Sequence, residues 1–196
     1  MPILPEPIQW NSIESFIRSK DSGNIPPSLR VILASDGILT TALESLFLSP
    51  VELEIIRQEE KPVDPKTAEF LQVEAGVPAL VREVWLKAKG VKIVFASSVI
   101  PIDGLSPSLL RALKNDSTPL GLILYESGRP TIKDRMQAAR LDDSAQKGGF
   151  GFGTAASLWT RRYRLSSGEK FSMFIQEIIN EEPFRDKPGI KTEPFI

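Results

Sequence analysis

"GVPALVREVWLKAKGVKIVFASSVIPI", residues 76–102, holds two runs of alternating side chains joined by "KAKG", the pattern of two β-strands folded on a short glycine-containing turn. A second pair follows, "SLWTRRYRLSS" (157–167) and "EKFSMFIQEIIN" (169–180), meeting about "SSGE". Neighbouring hairpins with few helices between them predict a single α+β domain, a mostly antiparallel β-sheet with a few helices packed on it.

The segments around the hairpins fit that scheme. In "VILASDGILTTALESLFLSP" (31–50), Ser35 or Asp36 is placed to cap a helix whose apolar residues Leu39, Leu43, Leu46 and Phe47 recur at helical spacing before Pro50. "VELEIIRQEEKPV" (51–63) alternates as a strand, and Asp64-Pro65 starts a short helix. "LSPSLLRALKNDSTPLGLILYES" (105–127) reads as two helical pieces broken at "DSTPLG", and "RPTIKDRMQAARL" (129–141) as a strand charged enough for a sheet edge, or as partly helical. Residues 1–30 hold five prolines and one short helical pattern, "SIESFIRSK", so they are expected to form an arm on a domain spanning 31–184, with 185–196 as a tail.

Composition restricts the chemistry. Of 196 residues, 41% are hydrophobic and 25% charged, enough for one core. Lysine and arginine total 24 against 25 aspartates and glutamates, so at a net charge of -1 no overall field draws nucleic acid or an acidic membrane. The chain has no cysteine and no histidine. Disulfides, thiolate nucleophiles, the usual zinc sites and histidine bases are thereby excluded, leaving carboxylates, arginines, hydroxyls and backbone groups. The N-terminus lacks a basic stretch followed by an apolar run, and no stretch reaches the length of a membrane span. A cytoplasmic protein, monomeric or a small homo-oligomer, is expected.

Two charges sit on the wrong faces. Alternation puts Arg82 with Leu80, Val84 and Leu86, and Glu177 with Phe171, Met173, Ile175 and Ile179. Either the two form a buried ion pair, or each strand is an edge whose charge reaches solvent, or they face a small ligand. A buried pair adds little net stability because both charges are desolvated, whereas an arginine grips a carboxylate with two parallel hydrogen bonds and a glutamate handles a proton at the ligand's other end. "GGFGFG" (148–153) lacks the lysine and hydroxyl of a phosphate loop and suits a mobile flap better. The alternating arginines of "WTRRYR" read as a solvated face, and Trp10, Trp85 and Trp159 as packing.

The order "LVREVWL", "ASSVIP", "STPLG", "SLWTRRYRL", "FIQEII", preceded by "DGILTTALE", resembles the chorismate pyruvate-lyase family from about Val31 to Phe184. The resemblance implies a compact antiparallel α+β domain that converts chorismate to 4-hydroxybenzoate and pyruvate, with no metal or organic cofactor. It implies that Arg82 clamps the ring carboxylate, that Glu177 lies near the ring 4-hydroxyl, and that the backbone at Leu120 and Gly121 binds the carboxylate region. Leu39 then covers the ligand, with Thr40 beside it. Ser97 stands where some members carry an arginine, which leaves the enolpyruvyl carboxylate to Arg129, Arg135 or an arginine of 161–164. The insertion "LDDSAQKGGFGFG" (141–153) and the missing basic pair in "TTALE" are further departures. Glu177→Gln is expected to impair catalysis more than folding. The competing reading is a non-catalytic aromatic-acid sensor, since effector domains of some bacterial regulators share this architecture; no DNA-binding helices are evident in 1–30, which favours the enzyme.

Overall fold

The computed structural model describes residues 7, 9–19, 23–115, 118–128, 130–141, 152, 157–167 and 171–185. Seven strands, β1 (Asn11–Ser12), β2 (Val51–Pro62), β3 (Pro78–Ala88), β4 (Val91–Pro101), β5 (Ile132–Leu141), β6 (Leu158–Ser167) and β7 (Phe171–Asn180), form one sheet in the order β1-β5-β6-β7-β4-β3-β2. Every neighbouring pair is antiparallel. Among the described residues six α-helices accompany it: α1 (Ile13–Arg18), α2 (Pro27–Ala34), α3 (Leu39–Phe47), α4 (Pro65–Leu71), α5 (Pro107–Asn115) and α6 (Leu120–Glu126). The α+β antiparallel fold read from the hairpins is the fold observed.

The first hairpin turns on Lys89 and Gly90, with φ of 52° and 75°; positive φ at both central residues matches the twist of the flanking strands. The pairing then slips. Lys87 opposes Lys92 but Leu86 opposes Val94, so Ile93 is an extra residue in β4. Beyond this bulge Ser98, not Ser97, lies opposite Arg82, and Ala96 opposite Val84. A second irregularity interrupts β5 between Asp134, which opposes Arg164, and Gln137, which opposes Arg162; Arg135 there has φ 52°.

Two groups of helices cover one face of the sheet. Leu29, Ile32, Leu33, Leu39 and Leu43 of α2 and α3 pack on Val84, Leu86, Val94 and Ile179, whereas Leu109, Leu113, Ile123 and Leu124 of α5 and α6 pack on Leu80, Ile100, Ile175 and Leu165. On the opposite face Trp85, Phe95 and Ile178 form a third cluster, and α4 sets Phe70 against Phe174. Trp159 and Trp85 are core residues, and Trp10 lies under the Arg162 guanidinium, so the tryptophans pack as expected.

Local signals fared unevenly. Asp64 caps α4 by accepting from the backbone N–H of Lys66 and Thr67, each at 3.1 Å. Neither Ser35 nor Asp36 caps α3: the helix starts after Ile38, and the Ser35 hydroxyl instead accepts from the N–H of Gly37 at 3.1 Å. Leu46, placed on the apolar stripe of α3, is 41% exposed. The segment read as an arm supplies Phe16, Ile25 and Leu29 to the core, and its α2, opened by Pro27, was not foreseen. The turn of the second hairpin, the glycine-rich 148–151 and 153, and the tail beyond 185 lie outside the described residues. Among the described residues no helix is long and apolar enough to cross a membrane.

Candidate active site

The two helix groups leave a gap between them, and the sheet residues beneath it are the charged ones. A cavity of about 180 Å³ opens there, mostly apolar, with Asp36, Arg82, Lys133 and Glu177 in its wall. A dry cavity of about 150 Å³ is enough to take a benzene ring. Its floor is β4, where Ala96 and Ser98 lie between Val84 and Arg82 of β3 and Glu177 and Ile175 of β7. Small side chains on the middle strand make the hollow. Adjacent strands are about 4.8 Å apart, so the arginine and glutamate strands stand about 10 Å apart across it.

Arg82 is 2% exposed. Its two terminal nitrogens donate to the Thr118 carbonyl at 3.2 and 3.3 Å, which ties the arginine to the turn preceding α6. Leu120 and Gly121 of that turn line the cavity with Leu39 and Thr40 of α3. A Cβ on Gly121 would stand 3.1 Å from Cγ2 of Ile38, so the missing side chain lets the starts of α3 and α6 meet above the ligand space. The Thr40 hydroxyl is buried and has no hydrogen-bond partner among the described residues.

Glu177 does not pair with Arg82. One carboxylate oxygen accepts from Nε of Arg161, its register partner on β6, and the other from the Tyr163 hydroxyl at 2.9 Å. Arg161 is completely buried and also donates to the carbonyls of Ile32 and Ser35, the latter at 3.0 Å. Burial is the largest single influence and opposes its charge, but the charge and hydrogen bond of Glu177 together with Tyr163 leave the guanidinium pKa raised. Burial first, and the Glu177 charge second, push Tyr163 well above the usual phenol value, so it is a hydroxyl donor at neutral pH. Lys133 donates to the Gly37 carbonyl at 2.5 Å and sits 4.8 Å from the Tyr163 ring centroid. Its pKa is lowered to about 8, chiefly by burial and then by Arg161, against the opposing pull of Glu177 and Asp36.

Of the residues singled out in the sequence, Arg82, Glu177, Leu39, Thr40, Leu120 and Gly121 meet around this cavity. Ser97 does not: it faces the other side of the sheet, opposite Glu83, because the bulge at Ile93 reverses which residues of β4 accompany Arg82. Nor do the arginines considered for a second carboxylate line it. Arg135 donates to the Phe70 carbonyl, Arg162 to Gln137 and Arg164 to Asp134, while Arg129 lies outside the described residues. The reading of "WTRRYR" as a solvated face is corrected at Arg161, whose presence between Trp159 and Tyr163 on a buried face is the same anomaly that marked Arg82 and Glu177. Tyr163 and Lys133 were missed.

Solved structures of this fold include PhnF from Mycobacterium smegmatis (TM-score 0.59, 14% identity, 81% of this chain and 70% of that one). The C-terminal domain of the histidine utilization repressor from Pseudomonas syringae pv. tomato is another (TM-score 0.56, 12% identity, 73% and 99%). At such identities these likenesses concern the fold. Sequence similarity is more specific: the chorismate pyruvate-lyase of Mycobacterium tuberculosis (strain H37Rv) is 29% identical over 180 residues, covering 89% of this chain and 90% of that protein. A probable chorismate pyruvate-lyase of Methylococcus capsulatus is 33% identical over 128 residues, 64% of this chain and 78% of its own. Residues 33–185, which contain every cavity residue named above, match the family described as "Chorismate pyruvate-lyase Rv2949c-like", and the chain belongs to that family.

Proposed function

We propose that this chain eliminates pyruvate from chorismate to give 4-hydroxybenzoate. The observation that carries the reading is one ring-sized cavity with a carboxylate clamp, Arg82, on one strand and a hydroxyl-binding pair, Glu177 with Tyr163, two strands away. Chorismate is one elimination short of aromatic. Loss of the C4 hydrogen as a proton leaves its electron pair to complete the ring as the C3–O bond breaks, and the departing enolpyruvate gains a proton to become pyruvate. Atoms and electrons balance with no oxidant or reductant.

The protein's share is orientation and charge. Arg82, tied to the Thr118 carbonyl, takes the ring carboxylate, and Leu120 and Gly121, at the first turn of α6, line the same cavity. Each carboxylate oxygen of Glu177 accepts more than one hydrogen bond, so the C4 hydroxyl is accommodated beside Arg161 and Tyr163 and the C4 proton is steered towards the acid. Leu39 and Leu120 exclude water, which strengthens both contacts. Holding a reactant in its reacting geometry lowers the barrier by several kcal/mol. 4-Hydroxybenzoate spans Arg82 to Glu177 as well as the substrate does, so product release is expected to be slow and to need the start of α3 to lift.

The test is to incubate the purified protein with chorismate and a chelator and to follow 4-hydroxybenzoate and pyruvate by chromatography. Equimolar formation above the spontaneous rate supports the lyase. Heat stabilisation by 4-hydroxybenzoate without turnover supports instead the aromatic-acid sensor, the reading that the regulator domains sharing this fold suggest.

A further inference from the structure

The cavity carries a cation that the reading above leaves unused. Chorismate has two carboxylates, and Arg82 accounts for one. The enolpyruvyl ether is on C3, next to the hydroxyl-bearing C4, so its carboxylate extends at the Glu177 end of the cavity. Lys133 stands at that end: its ammonium lies over the ring of Tyr163, the residue that donates to Glu177. Its own partner is the Gly37 carbonyl, three residues before Thr40, whose buried hydroxyl has no partner among the described residues. Gly37 and Thr131 are exposed, so this is also the solvent side.

We propose that the second carboxylate of the ligand docks between the Lys133 ammonium and the Thr40 hydroxyl, and that this pair selects a dicarboxylate over an aromatic monocarboxylate. The inference rests on the chorismate reading for the identity of the ligand. Docking exchanges a neutral carbonyl for a carboxylate at Lys133, which is the stronger partner for a desolvated ammonium. It also gives the Thr40 hydroxyl the hydrogen bond that a buried polar group otherwise lacks at a cost. The product has no such arm. The same two residues therefore favour substrate over product in a cavity that otherwise fits both. Lys133 is a positioning residue: it holds the arm from which the C3–O bond breaks and takes no part in the proton transfer.

The experiment compares Lys133→Gln, Lys133→Arg and Thr40→Val with the wild type, measuring KM and kcat for chorismate and, by calorimetry, Kd for chorismate and for 4-hydroxybenzoate. Lys133→Gln is expected to weaken chorismate by about 10- to 100-fold, the range of one charge-assisted hydrogen bond, while 4-hydroxybenzoate changes by no more than about twofold. Lys133→Arg recovers most of the loss, and Thr40→Val weakens chorismate by about 2- to 10-fold. An equal loss for both ligands, or none for chorismate, overturns the proposal. Absence of turnover in the wild type refutes the reaction instead, and the ratio of the two Kd values still decides the role of Lys133.

Discussion

Both faces of this sheet bury charge, and they do so differently. On the face away from the cavity, Glu83 meets Arg57, its register partner on β2, and the row continues through Ser97 and Gln176, all polar and close to their neighbours. On the cavity face the row through Arg82 runs to Ser98, Ile175 and Tyr163 and contains no carboxylate. On the far face the acid meets Arg57; on the cavity face Glu177 meets Arg161, while Arg82, two strands away, lines the hollow and is tied to the Thr118 carbonyl. A misplaced charge in a strand is therefore not by itself a sign of a site. What marks the site is a buried cation beside a hollow, where the next strand offers only Ser98 and Ala96.

The largest test of this contrast is Glu177→Gln. The sequence pattern alone predicts harm to catalysis more than to folding, but a fully buried Arg161 stands against this carboxylate, and removing one partner of such a pair costs about 3–5 kcal/mol. Urea unfolding is expected to show that loss together with lost turnover; unchanged stability would mean that Arg161 finds its compensation elsewhere. Arg82→Ala comes next. The terminal nitrogens of Arg82 reach the neutral Thr118 carbonyl, so the variant is expected to stay folded while kcat/KM for chorismate falls about 100-fold; near wild-type turnover would remove Arg82 from the site. Glu83→Gln is the mirror experiment on the other face, expected to cost about 1–3 kcal/mol of stability with kinetics preserved. Should Glu83→Gln impair turnover in folded protein, the two faces are not functionally separate.

The smallest effect is a pH dependence. Lys133, which faces Asp36 before α3, Arg161 and Tyr163 of β6 and Glu177 of β7, has a folded pKa of about 8 against an ordinary 10.5. Between those values the unfolded chain binds the extra proton, so its contribution makes the ligand-free protein more stable as pH rises. The attraction for a second carboxylate falls over the same range. Melting curves from pH 7 to 9.5 are therefore expected to show the stabilisation by chorismate shrinking while the ligand-free contribution rises, and Lys133→Gln to flatten both trends.

The sequence carried the sheet, the hairpins and the two opposed charges, because alternation along β3 and β7 is unbroken from core residue to charge. It failed where alternation breaks. Ser97, singled out through the family resemblance, stands opposite Glu83, because the unannounced extra residue at Ile93 gives the place opposite Arg82 to Ser98. In β5, alternation from buried Ala138 turns Lys133 away from the cavity, and the irregularity between Asp134 and Gln137 turns it back. Arg161 was legible by the same parity as Glu177 but was read with its exposed neighbours. Bulges leave no mark in the hydrophobic pattern, and here they aim the floor of the site and its second cation.

Arg82 is fastened not to the sheet beside it but to the Thr118 carbonyl of the turn that begins the cover. On the proposed reading, in which Arg82 holds the ring carboxylate, a movement of this turn together with the start of α3 would withdraw the clamp as the cover lifts. Escape and unclamping would then be one kinetic event, and substitutions that loosen residues 118–121 are expected to shorten the residence time of an aromatic acid.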